Sequence, residues 1–432
     1  MSSNQISLKE AISIGIGGMV GGGIFAVLGL AVATAKGATP VAFLIAGIIA
    51  FLTSYSYAKL SMKYPDRGGT VKFMNIGFGI GIFSGGLNNL LWISYIIMLS
   101  LYASAFGSYA PNLLSITGGA IDNHIFISFI IVLATGINYY SIRVVGKIES
   151  YAVVIKLVIL LAFVGVGIYG LVGNENLDQL AIANWETPIK ILTGGMVIFV
   201  AYEGFELIAN AAPDIKNPKK NIPKAYFISV LFVIALYIVI AVITIGSLPF
   251  GDIAKAEDYV LAEAAKPILG KVGFTIITVA ALISTFSAIN ASLYGGSRVS
   301  YELAEDDELP HELTNTLWNQ PIGLAITAVL TLIIANTLNL ESISMAGSVG
   351  FLLIFAMVNF VAFKKSAEIN GNKIVTLLAT LLCLVALVVL IVQQAESNLQ
   401  GVLIAVGIVL GSFLIEFVYK KSEARAKRVN RN

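Results

Sequence analysis

GMVGGGIF, residues 18–25, interrupts the first long apolar segment with Gly21, Gly22 and Gly23 in succession. Each glycine weakens a helix by about 1 kcal/mol relative to alanine, and lacking a side chain it lets another group approach the backbone. Three in a row favour unwinding. Counted from Lys9, Gly21 lies about 18 Å along a helix, near the middle of a hydrocarbon core of roughly 30 Å. Backbone freed at that depth is costly unless it lines a polar cavity, because lipid offers its NH and CO groups no partner. A helix broken there marks a binding site. The same glycines suit another reading, since Gly17/Gly21 and Gly18/Gly22 have the small-xxx-small spacing of close helix packing.

The composition places this segment in a membrane. Of 432 residues, 57% are hydrophobic and only 12% charged, outside the range of soluble domains. Apolar runs of roughly 20 residues recur near 11–35, 41–62, 82–111, 124–142, 150–172, 190–212, 223–247, 272–297, 322–338, 343–363, 374–393 and 399–419. They predict an all-α polytopic membrane protein with twelve transmembrane helices. An even number puts both termini on one side, and the basic residues choose it. With a cytoplasmic N-terminus, only Lys36, Lys190, Lys255, Lys266 and Lys271 fall outside and Lys156 falls within a span, while the rest of the 27 Lys and Arg residues lie inside. That is the positive-inside pattern, and it predicts a multi-pass protein of the cell membrane with cytoplasmic termini.

The net charge of +2 hides this asymmetry. The basic loops signal topology and give no reason to expect nucleic acid. The tail KKSEARAKRVNRN, residues 420–432, is expected to meet anionic lipid headgroups. Cys383 is the single cysteine, so no intrachain disulfide forms. The first segment lacks the cleavage site of a signal peptide and is expected to direct insertion itself.

A second break decides how the first is read. In FVAYEGFELIANAAPDIKNPKKNIP, residues 199–223, Gly204 sits between Glu203 and Glu206, and Pro213 then stops the helix. Two carboxylates at this depth avoid lipid, although Glu206 also suits hydrogen bonding to loose backbone at the break. Breaks in spans one and six, five spans apart, are the sign of an inverted repeat. The first repeat would be residues 1–172, the second 173–365, and residues 366–432 would hold the last two spans and the tail.

The helix dipoles then describe a ligand. The second half of span one begins at the midplane with the free amides of Gly22, Gly23 and Ile24, beside Met19 and Val20, a site for a carboxylate. The first half of span six ends there with free carbonyls near Phe199, Val200 and Tyr202, beside Glu203, which suit an ammonium group. Together they form a cradle for an α-amino acid.

Span five, YAVVIKLVILLAFVGVGIYG at residues 151–170, carries Lys156 as the only charge between Glu149 and Glu175. A lone lysine in a span costs about 2.5–3.5 kcal/mol on insertion scales and marks function by default. Snorkelling toward the cytoplasm is the alternative, since helical side chains lean toward the N-terminus. In span eight, Ser284, Thr285, Ser287, Asn290 and Ser292 either back-bond to their own helix or serve a small cation or a lysine amine. GDIAKAEDYVLAEAAKPILG, residues 251–270, reads as a short amphipathic outer helix able to act as a lid. Asn88, Asn89 and Tyr95 in span three line a polar path or make interhelical hydrogen bonds. Spans eleven and twelve are expected to be uncharged scaffold. There is no nucleotide-binding loop and no metal-spaced Cys/His cluster, and His124 and His311 fall at loops. Neither enzymatic activity, nor a cofactor, nor a metal is expected.

GMVGGGIF, AYEGFE followed by NPKKNIP, and SLYGGSRVSYELAEDDELP together resemble the amino acid-polyamine-organocation (APC) transporter superfamily over essentially the whole chain. VGKIESYAVVIK, which places a lysine in span five, is similar to archaeal proton-coupled amino-acid transporters of broad specificity. The resemblance implies a LeuT-like fold of two inverted five-helix repeats and transport by alternating access. It implies that Lys156 stands where related transporters hold sodium, between Gly17 and the pair Ser284 and Ser287, so that protons rather than sodium drive uptake. Neutral amino acids are the substrates it implies. Glu203 and Glu206 depart from that pattern and leave an exchanger of cationic amino acids or polyamines as the alternative. A channel or a non-transporting amino-acid sensor is the alternative of another class.

Overall fold

The computed structural model describes residues 5–140, 142–305, 308–309, 311–317 and 320–429. The side chains of 142–150 and 422–429, among them Arg143, Lys147 and most of the basic tail, lie outside the described residues, as do Asp306, Asp307 and Pro310.

The chain is almost entirely helical. Its elements are α1 (Leu8–Met19), α2 (Gly23–Ala35), α3 (Thr39–Lys63), α4 (Thr70–Phe78), α5 (Ile82–Tyr109), α6 (Ile121–Tyr140), α7 (Ile142–Gly170), α8 (Pro188–Val197), α9 (Leu207–Ala211), α10 (Pro218–Ser247), α11 (Phe250–Lys255), α12 (Val260–Glu305), α13 (Ile322–Thr337), α14 (Leu340–Lys364), α15 (Lys373–Ser397) and α16 (Leu399–Val429). A two-residue hairpin, Thr316–Leu317 with Gln320–Pro321, precedes α13. Ser7 starts α1 with a capping box: its hydroxyl takes the Glu10 amide at 3.3 Å, and Glu10 Oε2 takes the Ser7 amide at 2.7 Å. Two orphan donors of the first turn are thereby satisfied.

Among the described residues nine helices are long and apolar enough to cross a membrane, or eleven when each of two bent pairs counts as one span. The pairs are α1 with α2, bent by 47°, and α8 with Phe199–Asp214, bent by 52°. These are the first and sixth spans in chain order. The remaining expected crossing, the ninth in chain order, is α13, whose 16 residues reach only about 24 Å against a core of roughly 30 Å. By length the count is therefore eleven, with one short apolar helix beside them.

The helices sort by neighbour. α5 is buried along nearly its whole length, enclosed by α12, α14, α16, α6 and α13. α15 and α16 lie at the periphery and expose Leu381, Val385, Val388, Leu403 and Leu410. In water such a surface would be an aggregation hazard; around a multi-pass membrane protein it is the lipid face.

Two expectations need correction. Residues 251–270 do not form one helix: α11 ends at Lys255, a 3-10 turn follows at Glu257–Tyr259, and α12 kinks at Gly270, where φ is 60°. Pro267, lacking an amide hydrogen, loosens the turn before that kink. Span twelve is not uncharged, since Glu416 is fully buried in α16 and takes the Asn89 amide at 3.2 Å. Asn88 donates to Asn75 at 3.1 Å and to Glu308 at 2.8 Å. Both asparagines thus tie α5 to its neighbours.

Candidate functional site

The break in the first span is a short stretch of backbone satisfied from outside. α1 ends at Met19 and α2 begins at Gly23. Ser284 of α12 donates to the carbonyls of Gly21 (2.7 Å) and Val20 (3.2 Å). The Tyr237 hydroxyl of α10 lies 2.7 Å from the Met19 carbonyl and 3.1 Å from that of Ala201 in the sixth span. One tyrosine therefore holds both breaks. The amides of Gly23 and Ile24 open α2, where a helix has no intrahelical acceptor for them.

The sixth span does not break at Gly204 alone. α8 stops at Val197, a 3-10 turn covers Phe199–Tyr202, and α9 starts only at Leu207. Tight turns close hydrogen bonds locally, so the Val200 carbonyl, expected to be free, takes the Glu203 amide at 3.1 Å. The Val197 carbonyl takes the hydroxyls of Ser344 (2.8 Å) and Ser348 (3.0 Å). The Tyr202 hydroxyl turns away to the Phe43 carbonyl at 2.8 Å, and the Phe199 ring packs on Phe355.

Between the breaks and the N-terminal start of α1 lies a cavity of about 430 Å³, within the roughly 300–1,000 Å³ of small-molecule sites. It runs from Glu10 and Ser13, both exposed, past Gly17 and Gly18 to Tyr102 and Glu203. Larger hollows of 630 and 770 Å³ lie on the outer apolar surface of α6 and α13 and touch neither break. Of the residues expected in the site, Gly17 and Glu203 face the cavity. Met19, Val20, Gly22, Gly23, Ile24, Phe199, Val200 and Tyr202 stand behind it. Tyr102 and Thr285 cover Gly22, leaving no room for a Cβ there, and Ala201 covers Gly23.

Tyr102 joins the two breaks. Its ring packs on Gly22, and its hydroxyl donates to Glu203 Oε2 at 3.2 Å. Tyr95, two turns earlier on the same helix face, donates to Glu206 Oε1 at 3.4 Å, while Glu206 Oε2 takes the Gly204 amide at 2.7 Å. The pairing of a tyrosine heptad step with two glutamates three residues apart is written in the sequence, yet only Tyr95 stands out there. Tyr237 carries no signal beyond being a tyrosine in a span.

Lys156 does not snorkel. It is fully buried, and its Nζ donates to the Gly17 carbonyl at 3.0 Å, tying α7 to α1. Ser284 and Ser287 are fully buried on α12.

The sequence model for amino acid permeases matches residues 6–414. The chain belongs to the amino acid permease family. The permease is 33% identical to an uncharacterized protein of Methanocaldococcus jannaschii over 98% of its own length and 97% of the relative's. It is 31% identical to the inner membrane transport protein YbaT of Escherichia coli K12, with the same coverage. The serine/threonine exchanger SteT of Bacillus subtilis is 24% identical, with 85% of each chain covered. The permease is thus a multi-pass APC-superfamily membrane transporter and not an enzyme.

Proposed function

We propose that the permease carries out proton-coupled secondary active transport of amino acids across the cell membrane, by alternating access of two inverted five-helix repeats. The observation that carries the reading is the buried Lys156 amine, 3.0 Å from the Gly17 carbonyl. A cationic amine is a strong donor to a carbonyl, so the protonated lysine clamps α7 to the first half of the broken span, while Ser284 holds the far side of the same break. Loss of the proton weakens the clamp and frees α1 to move. A proton can in this way take the place of sodium.

With the N-terminus on the cytoplasmic side, the cavity opening at Glu10 and Ser13 belongs to an inward-facing state. On the other face, Gly29 of α2 lies against the Glu257 backbone, so close that a Cβ would stand 2.8 Å from the Glu257 carbonyl carbon. One open side and one closed side are what a carrier needs and a channel lacks. The amides of Gly23 and Ile24 would receive the substrate carboxylate once Tyr102 swings aside.

The test is uptake of a radiolabelled amino-acid panel into proteoliposomes under a proton gradient, a sodium gradient or neither, beside Lys156→Ala. Proton-driven accumulation that disappears in the variant is the expected result. Sodium-driven accumulation, or uphill uptake by Lys156→Ala, would overturn the coupling role.

A further inference from the structure

We infer that the lipid-facing groove along α6 and α13 is a binding site for one phospholipid whose headgroup carries a hydrogen-bond donor. The site stands apart from transport, since the groove touches neither break. Two hollows, of 630 and 770 Å³, meet at Val132 on a single stripe of α6 that runs from His124 to Tyr140. The groove exists because side chains are missing where the two helices part. A Cβ added at Gly136 would meet nothing within 4 Å, and α13 contributes only Ala325 and Ala328 to the floor of the same hollow. The walls are apolar, with Phe129, Val132 and Val329 each more than half exposed. An apolar gap left empty forfeits dispersion contacts along its whole lining, so a flexible apolar chain gains by filling it.

The two ends of the groove differ, and the difference selects the occupant. Asp122, at the start of α6, takes the amides of Ile116, Thr117 and Gly118 from the preceding loop. That fixes the beginning of the helix at the membrane surface, and His124 follows in its first turn. The Asn336 amino group donates to Ser128 Oγ at 3.2 Å and to the Leu332 carbonyl at 2.9 Å. Its carbonyl oxygen is therefore the atom 3.0 Å from His124 Nδ1, and Nδ1 is the donor. In the neutral ring Nε2 is then an acceptor, and the Ser128 hydroxyl, having accepted from Asn336, still has its own hydrogen to give. His124 and Ser128 both line the groove. One offers an acceptor to a headgroup donor, and the other offers a donor to a phosphate or ester oxygen.

The length agrees. From His124 to Gly136 the helix rises about 18 Å, a little more than half of a core of roughly 30 Å. A lipid with its head at His124 thus lays one acyl chain down a single leaflet and over the gap at Gly136. A helix from a second copy of the chain would pack along the full core and calls for no hydrogen-bonding pair at one end.

The experiment is native mass spectrometry of the delipidated permease after addition of phosphatidylethanolamine or phosphatidylcholine with identical acyl chains. Both are zwitterionic, but only the ethanolamine head has N–H donors. The wild type is expected to retain one phosphatidylethanolamine, about two- to tenfold better than phosphatidylcholine, the difference one hydrogen bond makes. His124→Ala should erase that advantage. Gly136→Trp, which fills the groove from a position with room for it, should abolish retention of both. Equal retention of the two lipids by the wild type, or unchanged retention by Gly136→Trp, would overturn the inference. So would a dimer of the wild type that Gly136→Trp dissociates, which would give the groove to a second copy. Should Gly136→Trp fail to fold, the comparison of wild type with His124→Ala decides.

Discussion

Gly18 and Gly204 meet backbone to backbone. A Cβ on Gly18 would stand 2.7 Å from the Gly204 carbonyl oxygen, and one on Gly204 would stand 2.6 Å from the Met19 amide nitrogen. The two broken spans therefore touch where neither carries a side chain. Gly204 also has φ of +117°, a backbone conformation costly for any other residue. Gly204→Ala is expected to destabilise the permease by about 1–3 kcal/mol and to reduce uptake with it. Thermal unfolding in detergent, run beside transport, checks this; an unchanged melting temperature would show that the contact yields.

What was legible in the sequence is what a membrane makes conspicuous. Gly21–Gly23 and the Glu203, Gly204, Glu206 cluster stand out because glycine and charge are out of place in a span, and Lys156 stands out for the same reason. Tyr102 and Tyr237 do not stand out. An apolar span looks alike whether a face meets lipid or another helix, so the sequence does not mark which tyrosines of α5 and α10 turn inward. The extent of the sixth-span break was hidden too, because its 3-10 turn uses ordinary residues, Phe199–Tyr202.

Lys156→Met separates clamp from coupling. Methionine fills a similar length without a charge but leaves the Gly17 carbonyl without its donor, so the variant should fold with a loss of about 1–3 kcal/mol. Proton-driven accumulation should be lost, while exchange of labelled for unlabelled substrate persists, because exchange needs no net proton movement. Loss of exchange together with accumulation would mean that Lys156 holds the substrate site rather than the driving ion.

At the N-terminal-side surface the Tyr64 hydroxyl donates to Glu368 Oε2 at 2.6 Å, and Lys59 reaches the Asn370 carbonyl at 2.8 Å. Burial, then the bond to Glu368, pushes the Tyr64 hydroxyl up to about 12, and the bonds from Tyr64 and Lys365 hold the Glu368 carboxyl below the usual carboxylate range. Glu368 thus adds stability above its unfolded value, and the gain is lost as pH falls through the folded one. Tyr64 adds stability below its unfolded value of about 10, and that gain is lost as pH rises through about 12. The melting-temperature gap between wild type and Tyr64→Phe should therefore hold near neutral pH and narrow as pH falls below about 4. A gap independent of pH on the acid side would assign the effect to packing of the ring.

Gly85 leaves room for Glu416. A Cβ on Gly85 would overlap the Glu416 carboxyl, whose Oε2 would stand 2.8 Å away, while the same oxygen takes the Asn89 amide at 3.2 Å. α5 and α16 are thereby joined by a buried acid lying across a glycine. Gly85→Ala should lower the melting temperature through the clash, and Glu416→Ala should lower it, by about 1–3 kcal/mol, because the Asn89 amide then keeps only its 3.4 Å bond to the Glu308 carbonyl. The double variant removes the clash as well as the acid, so it should be more stable than the sum of the two changes predicts, by about 0.5–3 kcal/mol. Strict additivity in a double-mutant cycle would show that α5 and α16 shift apart to accept the methyl group and that the glycine is not there for the acid.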